Sequence, residues 1–378
     1  MNLQRNAYHW RRLSVWVPVL ESDGLKSDRP VRLSYWGTPV VVFRTSSGRL
    51  GAIEDACGHR GVPLSQGCIR GEQIQCGFHH FRFDINGRCT HIPAVFGADE
   101  GFRRRCNVRK FFIREEVGLI WISVEDEPEA EFPVDASLLP DDRITATGSF
   151  NVDGDLRVWL DHFLDIPHCI WAHAESAYFG SPERPAELAS VRVGIGNASR
   201  YPVRRAIEMA FCIEDDGRYA RYAVPVRMLA VMDRIKKRLH RNLRAGCTSH
   251  LKVRADLVTP LCQETRSRVG PLKVCAWTGI NPLSAGKNQF IYSLVADARN
   301  RGWISRIFGR KLLHDFVRYH LGVEDGNFLA YARYFDDERL CATDLDSTVL
   351  AMREMFTTYQ REKGKLYPDD SLIHAIRY

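Results

Sequence analysis

The sequence predicts an α+β protein of two domains, in which a small antiparallel β domain precedes a larger domain of strands and helices. The first third of the chain consists of short runs rich in β-branched and aromatic residues, separated by glycine-containing turns. The remainder combines longer strand-like runs with stretches of helical periodicity. The length of 378 residues agrees, because chains above roughly 250 to 300 residues usually divide into more than one hydrophobic core.

Composition excludes several classes of protein. With 45% hydrophobic and 26% charged residues, the chain matches a globular protein and not a disordered, collagen-like or fibrous one. The 11 cysteines are odd in number and irregularly spaced, which favours a reducing compartment over a disulfide framework. No run approaches the roughly 18 apolar residues of a membrane span, and the N-terminus does not resemble a signal peptide. A cytoplasmic protein is therefore expected, and its net charge of +7 indicates a solvated surface.

The strands predicted in the first domain are short. They cover residues 31–36, 40–44, 73–76 and 78–84, and a run at 111–124 closes the domain. Asn86-Gly87 predicts a tight hairpin before a further strand at 89–92, because both residue types accept positive φ. The acidic, proline-containing residues 125–135 are typical of a linker. The predicted domains are therefore 1–130 and 131–378.

The second domain is predicted to mix helices with strands. Residues 156–177 predict a helix, and further strands are predicted at 191–213, 219–226, 251–257, 274–280 and 289–296. Two amphipathic helices follow, at 303–321 and between 349 and 359, where apolar residues recur at intervals of three or four.

The most specific pattern in the chain pairs cysteine with histidine twice. Cys57-Gly58-His59 is followed, after sixteen residues, by Cys76-Gly77-Phe78-His79. A [2Fe–2S] cluster of the Rieske kind needs two cysteines on one iron and two histidines on the other. We therefore expect Cys57, His59, Cys76 and His79 to hold such a cluster. A zinc site is the alternative, since these ligands also satisfy tetrahedral zinc, but zinc spacing usually places like residues together.

A second constellation runs from Asp161-His162 through Asp165 to His168 and His173. Two histidines and a carboxylate on one face of Fe(II) leave positions open for O₂ and substrate. On an ideal helix, residues five apart lie about 140° from each other. His168 and His173 can share a metal only if the helix is distorted, and Pro167 makes such an irregularity plausible.

Residues 55–94 resemble the Rieske domain of the Rieske non-haem iron oxygenases. The resemblance extends to residues 16–19 at the start of such domains and to 118–121 in their closing strand. Two departures do not touch a ligand: the family often has proline in place of Gly58 and Gly-Trp in place of His80-Phe81. The extra cysteine pair of respiratory Rieske proteins has no counterpart here.

The second constellation resembles the family's pattern of an acid, Asn, two residues, Asp, two residues, His, four residues, His. The resemblance implies that His168 and His173 bind a mononuclear Fe(II). It also implies that Asp165 bridges this iron to the Rieske site of a neighbouring subunit. His162 stands where the family commonly has Asn, which puts the second-shell hydrogen bonding in question.

The third iron ligand is expected to be a carboxylate far downstream. Residues 334–340 resemble the segment that supplies it in part of the family, and we predict Asp337, with Asp336 as the next candidate. Asp325 is a weaker candidate because Gly326 suggests a turn.

The resemblance also implies an architecture and an activity. The second domain should have a helix-grip (START-like) fold, with a curved antiparallel sheet capped by helices, and the subunits should form a head-to-tail homotrimer. The activity should be O₂-dependent oxidation of a small aromatic or heterocyclic metabolite by monooxygenation, demethylation or N-oxidation. Residues 279–288 and the His80-Phe81 variation are most similar to the aminopyrrolnitrin, pheophorbide a and vanillate-type enzymes of the family.

Electrons from NAD(P)H are expected to arrive through a separate reductase, with or without a ferredoxin. Gly194-Ile195-Gly196 lacks the third glycine of a dinucleotide site, and no ferredoxin cysteine spacing is present. Basic clusters at 103–105 and 234–244 indicate a solvated face or a docking surface for an acidic electron donor, and neither nucleic acid nor a membrane is an expected partner. The rival hypothesis is a non-catalytic Rieske electron carrier that lacks a functional mononuclear iron.

Overall fold

The structure is a computed structural model. It describes residues 16–35, 38–123, 132–135, 139–165, 168, 172, 180–181, 184–185, 187–196, 204–213, 249–259, 262–269, 272–284, 286–298, 303–335, 346, 349–350 and 353. The predicted domain boundary at residue 130 lies outside these residues.

The N-terminal region consists of ten short strands. They are β1 (Val17–Glu21), β2 (Val31–Tyr35), β3 (Thr38–Arg44), β4 (Leu50–Glu54), β5 (Cys68–Arg70), β6 (Gln73–Gln75), β7 (Arg82–Phe83), β8 (Cys89–His91), β9 (Phe112–Glu116) and β10 (Leu119–Ser123). They form three antiparallel sheets, with the orders β1-β10-β9, β2-β3-β4 and β5-β6-β7-β8. The predicted antiparallel β domain is confirmed.

A hydrophobic core joins two of these sheets to the cysteine-containing loops. Phe43, Phe81 and Phe83 are fully buried in it, and Cys57 and Cys76 belong to the same cluster. Burying one phenylalanine side chain stabilises a fold by about 1.5–3 kcal/mol, so these rings hold the loops firmly against the strands.

Two hairpins depend on positive φ. The predicted Asn86-Gly87 turn is present: Gly87 has a φ of 74°, and its N–H donates to the carbonyl of Asp84 at 3.0 Å. The predicted single run at 111–124 is instead a hairpin of β9 and β10, which turns at Val117 and Gly118 with φ of 50° and 75°. The sequence did not indicate this turn because a β-branched residue rarely adopts positive φ.

The second domain is dominated by one large sheet. Its strands are β11 (Arg143–Asp153), β14 (Glu187–Gly196), β15 (Arg204–Ile213), β16 (Ser249–Thr259), β17 (Cys262–Val269), β18 (Leu272–Ser284) and β19 (Lys287–Asp297), and a separate pair is formed by β12 (Gly180–Ser181) and β13 (Arg184–Pro185). The seven strands follow the order β11-β19-β18-β17-β16-β15-β14, and every neighbouring pair is antiparallel. The predicted strand at 191–213 is in fact two, while the prediction at 219–226 lies outside the described residues.

The described residues form four α-helices and one π-helix. They are α1 (Glu100–Arg105), α2 (Leu156–His162), α3 (Trp303–Tyr319), a π-helix (His320–Asp325) and α4 (Gly326–Leu329). Helix α3 packs on β11, where the Arg310 side chain donates to the carbonyl of Thr145 at 2.9 Å. At Gly148 a Cβ atom would lie 2.3 Å from the hydroxyl of Tyr292, so glycine permits this close packing. The predicted α+β class, with helices against an antiparallel sheet, is confirmed.

The N-terminal sheet β1-β10-β9 lies against the large sheet. Trp121 and Trp277 meet in one buried cluster, and the Asn281 amide donates to the carbonyl of Pro18 at 2.8 Å. The Ser293 hydroxyl likewise donates to the carbonyl of Val117 at 2.5 Å. The two predicted domains thus share a packed interface, which fixes their relative position. Within the part of the chain that is described, no helix has the length and apolar character needed to cross a membrane.

Candidate functional site: two metal centres

Two loops of the same design carry the paired cysteines and histidines. In the first, the Cys57 N–H donates to the carbonyl of Val62 at 2.8 Å, and the Gly61 N–H donates back to Cys57 at 2.7 Å. In the second, the Cys76 N–H donates to Phe81 at 2.8 Å, and the His80 N–H returns to Cys76 at 3.1 Å. Gly61 and His80 both have positive φ, of 70° and 60°. Each loop is therefore closed tightly behind its cysteine.

The four predicted cluster ligands converge between these loops. Cys57 and Cys76 are buried, and the rings of His59 and His79 lie 4.7 Å apart between centroids. Burial, reinforced by the neighbouring Cys76, raises the pKa of the Cys57 thiol to about 12. The His59 Nδ1 atom is buried and has no hydrogen-bond partner among the described residues. A buried imidazole nitrogen needs a partner, and an iron ion facing it would be one, so the residues fit the predicted cluster.

Aromatic rings orient the two histidines. The His59 ring stacks on Phe81 with centroids 4.6 Å apart and planes 3° apart. Phe96 lies edge-on to both His59 and His79, at 5.3 and 5.7 Å. Since Phe96 is partly exposed and Phe78 is exposed, the histidine edge of the site lies close to the surface, while the cysteine edge is buried.

A buried carboxylate ties the first loop to its strand. Asp55, which follows β4, accepts two hydrogen bonds of 2.7 Å from Ser65, one from its N–H and one from its hydroxyl. The Arg32 side chain lies 3.5 Å from the same carboxylate. The hydrogen bonds between Asp55 and Ser65 therefore hold together the two ends of the loop that contains Cys57 and His59.

A second group of potential ligands lies where helix α2 ends. The Asp155 carboxylate caps this helix by accepting from the Arg157 N–H at 2.9 Å. At its other end, His162 Nε2 lies 3.2 Å from Asp325 Oδ2, and His168 Nε2 lies 3.7 Å from Asp325 Oδ1. The ligand atoms of these three residues all lie within 4.8 Å of one another. The arrangement can hold a metal ion.

Asp325 enters this site from the π-helix. It is 2% exposed and lies at the junction of the π-helix with α4, where Gly326 has the helical φ of −55° and ψ of −38°. The expectation that Gly326 forms a turn is therefore wrong, and with it the reason for ranking Asp325 low. π-Helical turns are frequent at functional sites, because the additional residue in the turn redirects a side chain.

Asp165 contacts His168 on the side away from Asp325. The His168 Nδ1 atom hydrogen-bonds the carbonyl of Asp165, and the His168 N–H donates to the Asp165 carboxylate at 3.4 Å. This contact leaves Nε2 to face Asp325, as expected of a metal-binding histidine whose other nitrogen is held by an outer partner. Burial raises the pKa of the Asp165 carboxyl, while the nearby His162 lowers it.

An ion pair anchors helix α2 from the C-terminal part of the chain. Arg353 donates to both carboxylate oxygens of Asp161, at 3.0 and 2.5 Å, and to the carbonyl of Phe335 at 2.9 Å. Its guanidinium also lies 4.6 Å from the centre of the Tyr334 ring. No local pattern in the sequence marks Arg353, because its partner Asp161 lies 192 residues away.

Three other predicted residues are not located. His173, Asp336 and Asp337 lie outside the described residues, as does the basic cluster at 234–244.

Comparison with known families decides the nature of the first site. Residues 15–100 match the family model of the Rieske [2Fe–2S] domain. The N-terminal domain is a Rieske domain. The Cys-x-His and Cys-x-x-His loops described above fall within the matched residues, and the zinc alternative is set aside.

Curated relatives of the Rieske domain include oxygenases. The 4β-methylsterol monooxygenase of Methylococcus capsulatus is 38% identical over 114 residues, which cover 30% of this chain and 31% of that protein. The oxygenase component of dicamba O-demethylase from Stenotrophomonas maltophilia is 32% identical over 158 residues, or 40% of this chain and 44% of that protein. Each alignment thus spans less than half of the relative. The predicted resemblance to Rieske-type oxygenases is confirmed.

Solved structures extend the likeness beyond the Rieske domain. Dicamba monooxygenase bound to 3,6-dichlorosalicylic acid matches with a TM-score of 0.69 and 19% identity, over 93% of this chain and 99% of that one. NdmA of Pseudomonas putida CBB5, with caffeine, matches with a TM-score of 0.69 and 16% identity, over 98% and 95%. The fold of the Rieske domain and of the large sheet is therefore the fold of these oxygenase structures.

Proposed function

We propose that the chain is the terminal oxygenase component of a Rieske non-haem iron system. It would take electrons from a separate reductase, with or without a ferredoxin, and use O₂ to oxidise a small aromatic or heterocyclic compound. The observation that carries the proposal is the convergence of His162 and His168 on the buried Asp325 in a chain that also has a Rieske domain. When bound there, a mononuclear Fe(II) supplies O₂ activation at positions that the protein leaves open.

The iron ligands we propose are His168, Asp325 and the predicted His173. His168 and Asp325 already face each other, and a histidine five residues further along completes the two-histidine, one-carboxylate set. Asp325 replaces our prediction of Asp337, because Asp325 is buried against the histidines and enters from a π-helix. Removal of each carboxylate in turn, described below, distinguishes the two.

Asp165 is proposed as the bridging acid between subunits. The Asp165 side chain is 38% exposed, and the Asp165 backbone carbonyl hydrogen-bonds His168 Nδ1. The backbone of Asp165 therefore contacts the proposed iron ligand, while its carboxylate is accessible from the surface. The exposed rings of Phe78 and Phe96 contact the Rieske histidines, the exposed Val95 precedes Phe96, and further exposed apolar side chains follow Asp325 at Phe328 and Tyr331. A head-to-tail homotrimer would cover both patches and bring a Rieske histidine of one subunit to Asp165 of the next.

The substrate class is proposed from the relatives. Dicamba, the substrate named for the O-demethylase, is an aromatic compound, and caffeine, which is bound to NdmA, is an N-methylated heterocycle. We propose a similar small ring compound as the substrate here. Demethylation, other monooxygenation and N-oxidation all remain within this class. A cytoplasmic location is proposed as well, since the seven cysteines whose side chains the structure describes are free: Cys57, Cys68, Cys76, Cys89, Cys106, Cys262 and Cys275.

Iron content and product formation test the proposal together. The chain should bind the cluster's two irons and one more. With a reductase, NADH and O₂, it should convert candidate aromatic amines, phenol ethers or N-methylated heterocycles. Asp325→Ala should lose the additional iron and the activity while keeping the visible spectrum of the cluster, and Asp337→Ala should retain that iron. The reverse result would restore Asp337 as the ligand.

The rival hypothesis of an electron carrier makes a different prediction. A carrier would bind only the cluster, and His168→Ala would change neither its iron content nor any activity. Asp165→Asn offers a further test: it should leave both centres loaded and suppress turnover. Unimpaired product formation by Asp165→Asn would refute the bridging role while leaving the proposed oxygenase intact.

A further inference from the structure

His162 belongs to the mononuclear group, and the resemblance to the Rieske oxygenases implies an asparagine at its position. Its side chain is only 8% exposed, and its ring lies 4.3 Å from the ring of His168 between centroids. Two imidazoles and the Asp325 carboxylate therefore already converge, before the predicted His173 is added. An asparagine offers an amide at this place, whereas histidine offers a nitrogen that first-row transition metals bind well.

The separations between the ligand atoms match those of neighbouring ligands on one ion. Metal–nitrogen and metal–oxygen bonds of about 2.1 Å place ligands at right angles roughly 3 Å apart, and those at tetrahedral angles somewhat further. His162 Nε2 lies 3.2 Å from Asp325 Oδ2, and His168 Nε2 lies 3.7 Å from Asp325 Oδ1. His162 is thus as close to the carboxylate as the histidine that the family pattern assigns to iron.

The position of the His162 ring is held by buried neighbours. Trp159, fully buried one turn earlier, meets the ring edge-on at 5.9 Å and donates its indole N–H to the carbonyl of Asp153 at 2.9 Å. On the other side of the chain, the adjacent Asp161 is fixed by Arg353. A ring held by packing keeps its ligand atom pointed at one place, as a metal site requires.

We propose that His162 is an additional ligand of the mononuclear metal, alongside His168, His173 and Asp325. The inference rests on the proposed function, because it assigns His162 to the mononuclear metal of the proposed oxygenase. A fourth protein ligand leaves two positions of an octahedral ion open instead of three, and a third imidazole strengthens binding of the later first-row metals. The competing arrangement, in which His162 only donates a hydrogen bond to Asp325, has two imidazoles on the metal.

The test counts imidazoles on a metal other than iron, so that the cluster does not contribute. The intact chain, with its cluster, is stripped of mononuclear iron by a chelator and loaded with Co²⁺. X-ray absorption at the cobalt edge then reports the number of imidazole ligands. We expect three in the wild type and one fewer in His162→Asn, with Co²⁺ binding weakened by about tenfold or more.

Two further variants serve as positive and negative controls for the imidazole count. His168→Asn should also lose one imidazole, whereas His314→Asn, whose Nδ1 lies 2.5 Å from the Tyr292 hydroxyl away from the site, should lose none. Equal counts in the wild type and His162→Asn would overturn the inference. If His162→Asn does not fold, the wild-type count decides, since two imidazoles overturn the inference. A wild type that binds no Co²⁺ would instead refute the proposed function.

Discussion

Asp161 and Arg353 form a two-point ion pair that joins helix α2 to the C-terminal part of the chain. The guanidinium side chain is 8% exposed and the carboxylate 20% exposed, so the pair is largely shielded from water. His162 is the next residue after Asp161, and Phe335, whose carbonyl also accepts from Arg353, lies ten residues after Asp325. The ion pair therefore connects the two chain segments that meet at the mononuclear site.

Removal of this pair should destabilise the protein and loosen the site. Arg353→Leu leaves the Asp161 carboxylate without its guanidinium partner, and breaking a shielded pair in this way costs about 2–3 kcal/mol of unfolding free energy once partial exposure is considered. Urea unfolding measures the loss, and Co²⁺ titration should reveal weaker binding because His162 is adjacent. Lys311→Ala, which breaks the exposed pair with Asp315, is the control and should cost less than about 1 kcal/mol. Equal losses in the two variants would contradict the argument.

The close packing of Cys106 on the first loop should make Gly58 important for cluster assembly in this chain. A Cβ atom at this position would lie 1.9 Å from the backbone carbonyl oxygen of Cys106, and a backbone atom cannot turn aside. Gly58→Ala is therefore expected to shift the loop, at a cost of about 3 kcal/mol, and to yield protein with reduced visible absorption per chain. Gly101→Ala in helix α1 places its Cβ 3.4 Å from the nearest atom and should be neutral or slightly stabilising. Full cluster content in Gly58→Ala would contradict this prediction, because it would show that the loop accommodates the added methyl group beside Cys106.

The cluster-free protein should lose stability at alkaline pH. Burial raises the pKa of Cys57 to about 12 in the folded chain, from an ordinary value of 9.0. The folded state therefore retains a proton that the unfolded state releases, so this contribution is complete below about pH 9 and is lost as the pH rises toward 12. Each such thiol lowers the unfolding free energy by up to about 1.4 kcal/mol per pH unit.

Urea unfolding at pH 8, 9 and 10 measures this slope. Cys57→Ser should make it shallower in the cluster-free protein, whereas loading the cluster should remove the Cys57 contribution, since a ligating cysteine is already a thiolate. Cys89, whose pKa burial raises to about 11, is not a predicted ligand, so Cys89→Ser should reduce the slope with or without the cluster. A slope unchanged by Cys57→Ser would contradict the buried-thiol argument.

The convergence of the four predicted cluster ligands could be anticipated from the sequence. These four residues lie within 23 consecutive positions, from Cys57 to His79, and short loops with turn-forming residues leave few ways to arrange them. The same locality explains why the Asn86-Gly87 hairpin was predicted correctly. The hairpin at Val117-Gly118 was not, because the surrounding structure imposes positive φ on a valine.

Prediction of the mononuclear site required both the sequence and the tertiary structure. The histidine spacing, taken together with the Rieske motif, singled out His168 and His173, and the family resemblance implied a carboxylate from far downstream. It did not determine which one, because that choice follows from how the segment after helix α3 passes over the large sheet. A π-helix carries the chain through Gly326 without a turn and places Asp325 against His162 and His168. Only the tertiary structure brings together residues more than 150 positions apart, since no local periodicity encodes their approach.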